Sequence, residues 1–150
     1  MDQDRLLICY DGSEGAERAV DTAAALLGPR AAVVLTVAPA MTFAEGVAAT
    51  SSVVPGGAFE DLNRADAVRR AEAGALYARR AGFDAEPRAT IASATWQAIV
   101  DVADELDAAA IVIGSRGLAG FREFTRGSVS HDVATHARRP VLIVPPPATA

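Results

Sequence analysis

The chain has 150 residues, of which 51% are hydrophobic and 22% are charged, and its net charge at pH 7 is −5. This length is typical of one domain, and the apolar fraction excludes an intrinsically disordered chain. The acidic balance disfavours nucleic acid or a membrane surface as a partner. We therefore expect residues 1–150 to form a single domain.

The absence of lysine and the presence of a single cysteine exclude several kinds of catalytic and metal site. All 14 basic residues are arginine, so there is no lysine for a Walker A loop, a protein-kinase site or a Schiff base. Cys9 is the single cysteine, which excludes an intrachain disulfide and a cysteine-based zinc site. The first ten residues place two acids before a short apolar run, which is neither a signal peptide nor a membrane span. We therefore expect a cytoplasmic protein.

Apolar strands alternate with helical periodicity along the chain. Apolar runs predict five strands at residues 5–10, 31–37, 85–92, 108–113 and 140–144, and apolar stripes predict four helices at 16–27, 59–81, 96–106 and 128–136. This alternation is typical of the α/β class, and it predicts an open, Rossmann-like parallel sheet with helices on both faces. Because Pro87 lacks a backbone N–H, its strand is expected at an edge of the sheet.

The segment from 39 to 81 contains a long loop and the longest helix. Residues 39–57 are nearly uncharged and aperiodic, and they are either a site-covering loop or a variable surface insertion. The helix at 59–81 is expected to bury a stripe made of Leu62, Ala65, Val68, Ala71, Ala75 and Ala78. Its arginines are interpreted as a solvated face without a phosphate-binding role: Arg64, Arg69, Arg70, Arg79 and Arg80.

Polar and glycine-rich segments follow two of the predicted strands. Asp11, Gly12 and Ser13 come after the first strand, and residues 114–130 follow the fourth. Open α/β sheets bind ligands at the carboxyl ends of their strands, where the strand order reverses. If these two strands are neighbours, the two segments face each other across one crevice.

The segment after the fourth strand is suited to binding phosphate. Gly114 and Gly117 allow close backbone approach, while residues 127–130 open a helix whose amides and dipole favour an anion. Ser128 and Ser130 add two hydroxyl donors. Each feature alone has an ordinary structural explanation, since glycine after a strand is often a turn and serine at a helix start is often an N-cap.

The spacing Gly114-x2-Gly117-x9-Gly127-Ser128 resembles the adenine-nucleotide-binding motif of the universal stress protein family. The opening LLICYDGSEGAERA and the closing ARRPVLIVP are similar to the same family. The resemblance implies a five-stranded sheet of order 3-2-1-4-5 and ATP as ligand, with or without Mg²⁺. Two departures are a turn at 92–95 without glycine and a charged segment at 121–126.

The resemblance also implies a role for individual residues. Asp11 would lie near the ribose and the metal–phosphate region, or else serve as a turn residue that caps the first helix. The backbone of Val37 would meet the adenine edge. The remaining implied nucleotide-binding residues line the base and ribose or hold the phosphates: Ile113, Gly114, Gly117, Gly127, Ser128, Val129 and Ser130. Arg116 and Arg126 would contact phosphate oxygens or remain solvated.

Three functions are compatible with these features. The first is a regulatory, nucleotide-binding protein, and the second is a slow ATP-hydrolysing or adenylate-transferring enzyme, for which no catalytic set is apparent. The third is a nucleotide-free dimerisation module. A homodimer is expected through the last strand, from Pro140 to Val144, because this short apolar strand would otherwise leave an unpaired edge.

Overall fold

The computed structural model describes residues 4–40, 56–115 and 128–148. Within these residues five strands alternate with four helices, as the sequence predicts. The strands are β1 (Leu6–Cys9), β2 (Ala31–Pro39), β3 (Asp84–Ala92), β4 (Ala110–Gly114) and β5 (Val141–Val144). The helices are α1 (Glu14–Leu27), α2 (Gly56–Arg80), α3 (Thr95–Glu105) and α4 (Val129–His136).

The strands form one parallel sheet of order β3-β2-β1-β4-β5. The expected order 3-2-1-4-5 is therefore confirmed, and so is the edge position of the strand that contains Pro87. Central β1 pairs with β2 through Cys9 and Leu35, and with β4 through Ile8 and Val112. The reversal of strand order thus lies between β1 and β4.

Alternate residues of each strand point to opposite faces, and each face is covered by two helices. Leu6 and Ile8 pack with α1 and α2, whereas Leu7 packs with α3 and α4. Such strands are buried on both sides, which explains their continuous apolar runs. The apolar periodicity of α1 is confirmed by its buried residues, which are Ala16, Ala19, Val20 and Ala23.

The buried face of α2 differs from the expected stripe. Leu62 and Val68 are 62% and 40% exposed, so their predicted burial is wrong, whereas Ala71, Ala75 and Ala78 are buried as expected. Ala67 is also buried. Alanines are spread around this helix, so several of its sides are almost equally apolar and periodicity does not single out one of them.

A close contact at Gly74 determines which side of α2 faces the sheet. A Cβ at Gly74 would lie 2.5 Å from Cδ1 of Tyr10 and 2.8 Å from Cγ1 of Val34. The helix can approach β1 and β2 this closely only with glycine at that position. The ring of Tyr10 is thereby buried between the sheet and α2.

The predicted loop at 39–57 falls largely on residues 41–55, which lie outside the described residues. Its predicted bounds are too wide at both ends, since β2 extends to Pro39 and α2 already begins at Gly56. Pro39 ends β2, and its carbonyl accepts a 2.9 Å hydrogen bond from the side-chain amide of Asn63 in α2. Among the described residues, no helix is long and apolar enough to cross a bilayer.

Candidate functional site at the carboxyl ends of β1 and β4

The candidate site lies where β1 and β4 end side by side. Because these strands are parallel neighbours, the turn that follows Cys9 and the segment that follows Gly114 emerge at the same edge of the sheet. Helices α1 and α4 follow these strands in the chain, so both helices begin at this edge. The ends of β1 and β4 therefore meet at the reversal of strand order, the place where open α/β sheets bind ligands.

The turn after β1 is built around one carboxylate oxygen. Oδ1 of Asp11 accepts hydrogen bonds from the backbone N–H and the hydroxyl of Ser13, at 2.9 and 2.5 Å. The Ser13 hydroxyl oxygen in turn accepts the N–H of Ala16 at 3.1 Å, which makes Ser13 the N-cap of α1. Asp11 therefore supports the cap residue without itself being the cap.

An arginine from α2 lies against this turn. Gly12 has a φ of +82°, and the position that a Cβ would occupy there is 3.7 Å from Cγ and Cδ of Arg70 and 3.9 Å from its Nε. The guanidinium of Arg70 pairs with Asp66 at 3.0 Å. The sequence grouped Arg70 with solvated arginines, and nothing in its spacing distinguishes it from its neighbours.

The end of β2 is tied to the end of β1 by a buried hydroxyl. Thr36 Oγ1 donates to the carbonyl of Tyr10 at 2.8 Å, and the N–H of Tyr10 donates to Leu35 at 2.8 Å. Val37 follows directly, and its side chain packs with the apolar cluster on the α3 and α4 side. Val37 thus lies near the end of β2, and β1 separates this strand from β4.

The end of β4 combines a buried isoleucine with a crowded glycine. Ile113 is buried against the α3 and α4 side, and Gly114 pairs with Val144 of β5. A Cβ at Gly114 would lie 2.9 Å from the carbonyl oxygen of Gly15 in α1. Glycine is thus required at this position by the packing of α1, a reason that the sequence did not reveal.

The start of α4 carries the predicted serines. Ser128 is the N-cap, and its hydroxyl oxygen accepts the N–H of His131 at 3.2 Å. Ser130 is only 3% exposed, and its hydroxyl lies 3.4 Å from that of Ser128. The side chain of Val129 is exposed. Gly117 and Gly127, together with Arg116 and Arg126, lie outside the described residues.

Comparison with known proteins identifies the family. The sequence model of the universal stress protein family matches residues 3–145. The chain belongs to this family. A curated relative, the universal stress protein YxiE of Bacillus subtilis (strain 168), is 48% identical over 46 residues, a segment that spans 31% of this chain and 31% of that protein.

Two solved universal stress proteins share the fold and were studied with nucleotides. One, from Archaeoglobus fulgidus, is a complex with dAMP and is 27% identical, with a TM-score of 0.61 over 96% of this chain and 99% of that one. The other is a complex with cAMP and is 25% identical, with a TM-score of 0.65 over 94% and 96% of the two chains. The architecture of this universal stress protein is therefore that of its solved relatives.

The side chains of Cys9 and His136 are accounted for by packing within the fold. Burial raises the pKa of Cys9 to about 12, with a further contribution from the charge of Asp11, so its thiol is not a nucleophile near neutral pH. His136 stacks on Trp96, with ring centroids 4.3 Å apart. Within residues 4–40, 56–115 and 128–148, no cluster of three acidic, histidine or cysteine side chains could hold a metal ion.

Proposed function

We propose that this universal stress protein binds an adenine nucleotide, ATP, and acts as a regulatory module in the stress response. The observation that carries the proposal is that the helices which follow the neighbouring strands β1 and β4 in the chain each begin with a serine cap, at Ser13 and Ser128. Helix N-termini at the reversal of strand order favour anions such as phosphates. The dAMP and cAMP complexes of relatives support an adenine nucleotide as the ligand.

In this proposal the nucleotide lies across the ends of three neighbouring strands. The backbone of Val37 meets the adenine edge, Ile113 and Gly114 line the base and ribose, and Asp11 faces the ribose and the phosphate region. The phosphates are held by the residues that lead into α4, which are Gly117, Gly127, Ser128, Val129 and Ser130. If the nucleotide carries Mg²⁺, Asp11 would be the carboxylate that shares it, since Mg²⁺ is commonly held by one or two carboxylates plus phosphate oxygens.

The hydroxyl of Ser128 can serve the cap and the ligand together. Its oxygen accepts the N–H of His131, and its own proton can be donated to a phosphate when Ser130 is the donor in the 3.4 Å contact between the two hydroxyls. The N-terminal amides of α4 are backbone donors that need no lysine, which fits a chain whose basic residues are all arginine. The site would thus hold phosphate mainly through neutral donors.

The nucleotide proposal is tested on the purified protein. Small molecules released by denaturing the freshly purified chain are identified by mass spectrometry, and ATP, ADP, AMP and cyclic AMP are then titrated calorimetrically. Gly117→Val and Gly127→Val should abolish ATP binding, because a branched side chain blocks backbone approach to phosphate. Gly120→Val is the matched control, since it lies in the same segment but outside the motif. Equal affinity of all three variants and the parent chain would refute the phosphate assignment.

We also propose that two copies of the chain pair through β5. The N–H of Ile111 donates to the carbonyl of Pro140, and the N–H of Ser115 donates to that of Val144, each at 2.9 Å. Alternate residues of a strand point their backbone groups to opposite sides, so Val141 and Ile143 present theirs away from β4. In the described part of the chain no strand pairs on that side. A two-fold related copy would satisfy these groups.

A further inference from the structure

The strongest unassigned feature is the arginine that lies against the β1–α1 turn. Arg70 is separated in sequence from this turn by α1, β2 and the first part of α2, yet its aliphatic carbons pack 3.7 Å from the position of a Cβ at Gly12. Gly12 lies between Asp11 and Ser13 and has no side chain, so the stem of Arg70 packs directly against the backbone of this turn. The guanidinium is thus carried to the edge of the candidate site by α2.

The ion pair between Arg70 and Asp66 is weak enough for another anion to replace it. Its guanidinium pairs with Asp66, one helical turn earlier, and the two side chains are 36% and 53% exposed. Exposed ion pairs at this spacing contribute little free energy, since water screens them and both side chains lose freedom. Arg69 pairs with the other oxygen of Asp66 at 3.5 Å, so this carboxylate keeps a cationic partner if Arg70 turns to another anion.

We propose that Arg70 supplies a positive charge to the nucleotide site and sets its preference for nucleotides with more phosphate groups. This inference rests on the proposed nucleotide binding. The donors at the start of α4 are neutral, whereas Asp11 brings a negative charge to the phosphate side of the site. A guanidinium above the same turn offsets that charge and offers two parallel N–H donors to phosphate oxygens. Adenosine, which has no phosphate, gains nothing from it.

The test compares two neighbouring arginines of α2. Arg70→Gln retains most of the aliphatic stem over Gly12 but removes the charge, and Arg69→Gln makes the same change at a residue that shares Asp66 and is 69% exposed. The affinities of ATP, AMP and adenosine for each variant are measured by calorimetry at two salt concentrations. For Arg70→Gln we expect the dissociation constant of ATP to rise about tenfold or more. The constant for adenosine should change less than about twofold.

The outcomes separate this inference from the proposed function. If the parent chain binds none of the three compounds, the nucleotide proposal fails. If the parent binds ATP and Arg70→Gln weakens ATP no more than Arg69→Gln does, only the role of Arg70 is refuted. Equal losses of ATP and adenosine in Arg70→Gln would also refute it, because they would indicate a role in the shape of the turn. Melting temperatures of both variants near that of the parent confirm that the fold is retained.

Discussion

Gly114 at the end of β4 lies against the backbone of Gly15 in the first turn of α1. A Cβ at Gly114 would be 2.9 Å from the carbonyl oxygen and 3.1 Å from the carbonyl carbon of Gly15. Both neighbours are main-chain atoms inside a helix, which cannot rotate away as a flexible side chain can. This contact holds the start of α1 beside the end of β4.

The first prediction concerns this contact. Gly114→Ala should lower the free energy of unfolding by about 1–3 kcal/mol, because α1 must shift to admit the methyl group. Urea denaturation measures the change, and Ser115→Ala, the next residue along, adds no atoms and serves as control. If Gly114→Ala is as stable as the parent, the helix start is looser than the contact indicates. A loss of nucleotide affinity in Gly114→Ala would then report directly on the ligand.

The second prediction separates the cap of α4 from phosphate binding. Ser128→Ala removes the acceptor for the N–H of His131 and should cost about 0.5–2 kcal/mol of stability, measured by thermal unfolding. Ser128→Asp restores a capping oxygen and should regain most of that stability. Its negative charge should nevertheless weaken ATP binding by electrostatic repulsion. An aspartate variant that binds ATP as well as the parent would place the phosphates elsewhere.

The third prediction is a loss of stability at alkaline pH. Tyr77 of α2 donates to Asp21 of α1 at 2.9 Å, and this hydrogen bond is the main reason that the pKa of Tyr77 is raised from 10.0. Because the pKa of Tyr77 is raised in the folded state, the stabilisation of the fold by this hydrogen bond is complete below pH 10 and is lost as the pH rises beyond that value. The difference in unfolding free energy between the parent and Tyr77→Phe should therefore shrink above pH 10. If this difference in unfolding free energy stays constant up to about pH 11.5, ionisation of the Tyr77 hydroxyl does not change stability and the prediction is wrong.

The fourth prediction tests the dimer through β5. Ile143→Pro removes an N–H that points away from β4 and should convert the dimer to monomers of 15.5 kDa, as measured by light scattering. Leu142→Pro is the contrasting variant, since its N–H points towards β4 and its loss should destabilise the sheet itself. A parent chain with the mass of one copy at micromolar concentration would contradict the dimer.

Local and periodic features could be predicted from the sequence. Apolar runs that alternate with helical stripes led to the parallel sheet, because strands buried on both faces are apolar throughout. The missing N–H of Pro87 placed β3 at an edge. For Ser128 the sequence favoured a phosphate role and left the N-cap as the ordinary alternative, and the structure shows the cap. The glycine and serine spacing from Gly114 to Ser128 resembled the family to which the chain belongs. Each of these signals depends on residues close together in the chain.

Contacts between residues far apart in sequence were decided only by the tertiary structure. The buried phase of α2 could not be read from its alanines, which lie all round the helix, and it became clear only where Gly74 meets Tyr10. Gly114 was interpreted through its ligand, although Gly15 already requires it. Arg70 resembled its solvated neighbours until the fold placed it against Gly12. Periodicity predicts which residues share a face, whereas close approach between two elements depends on how the whole chain packs.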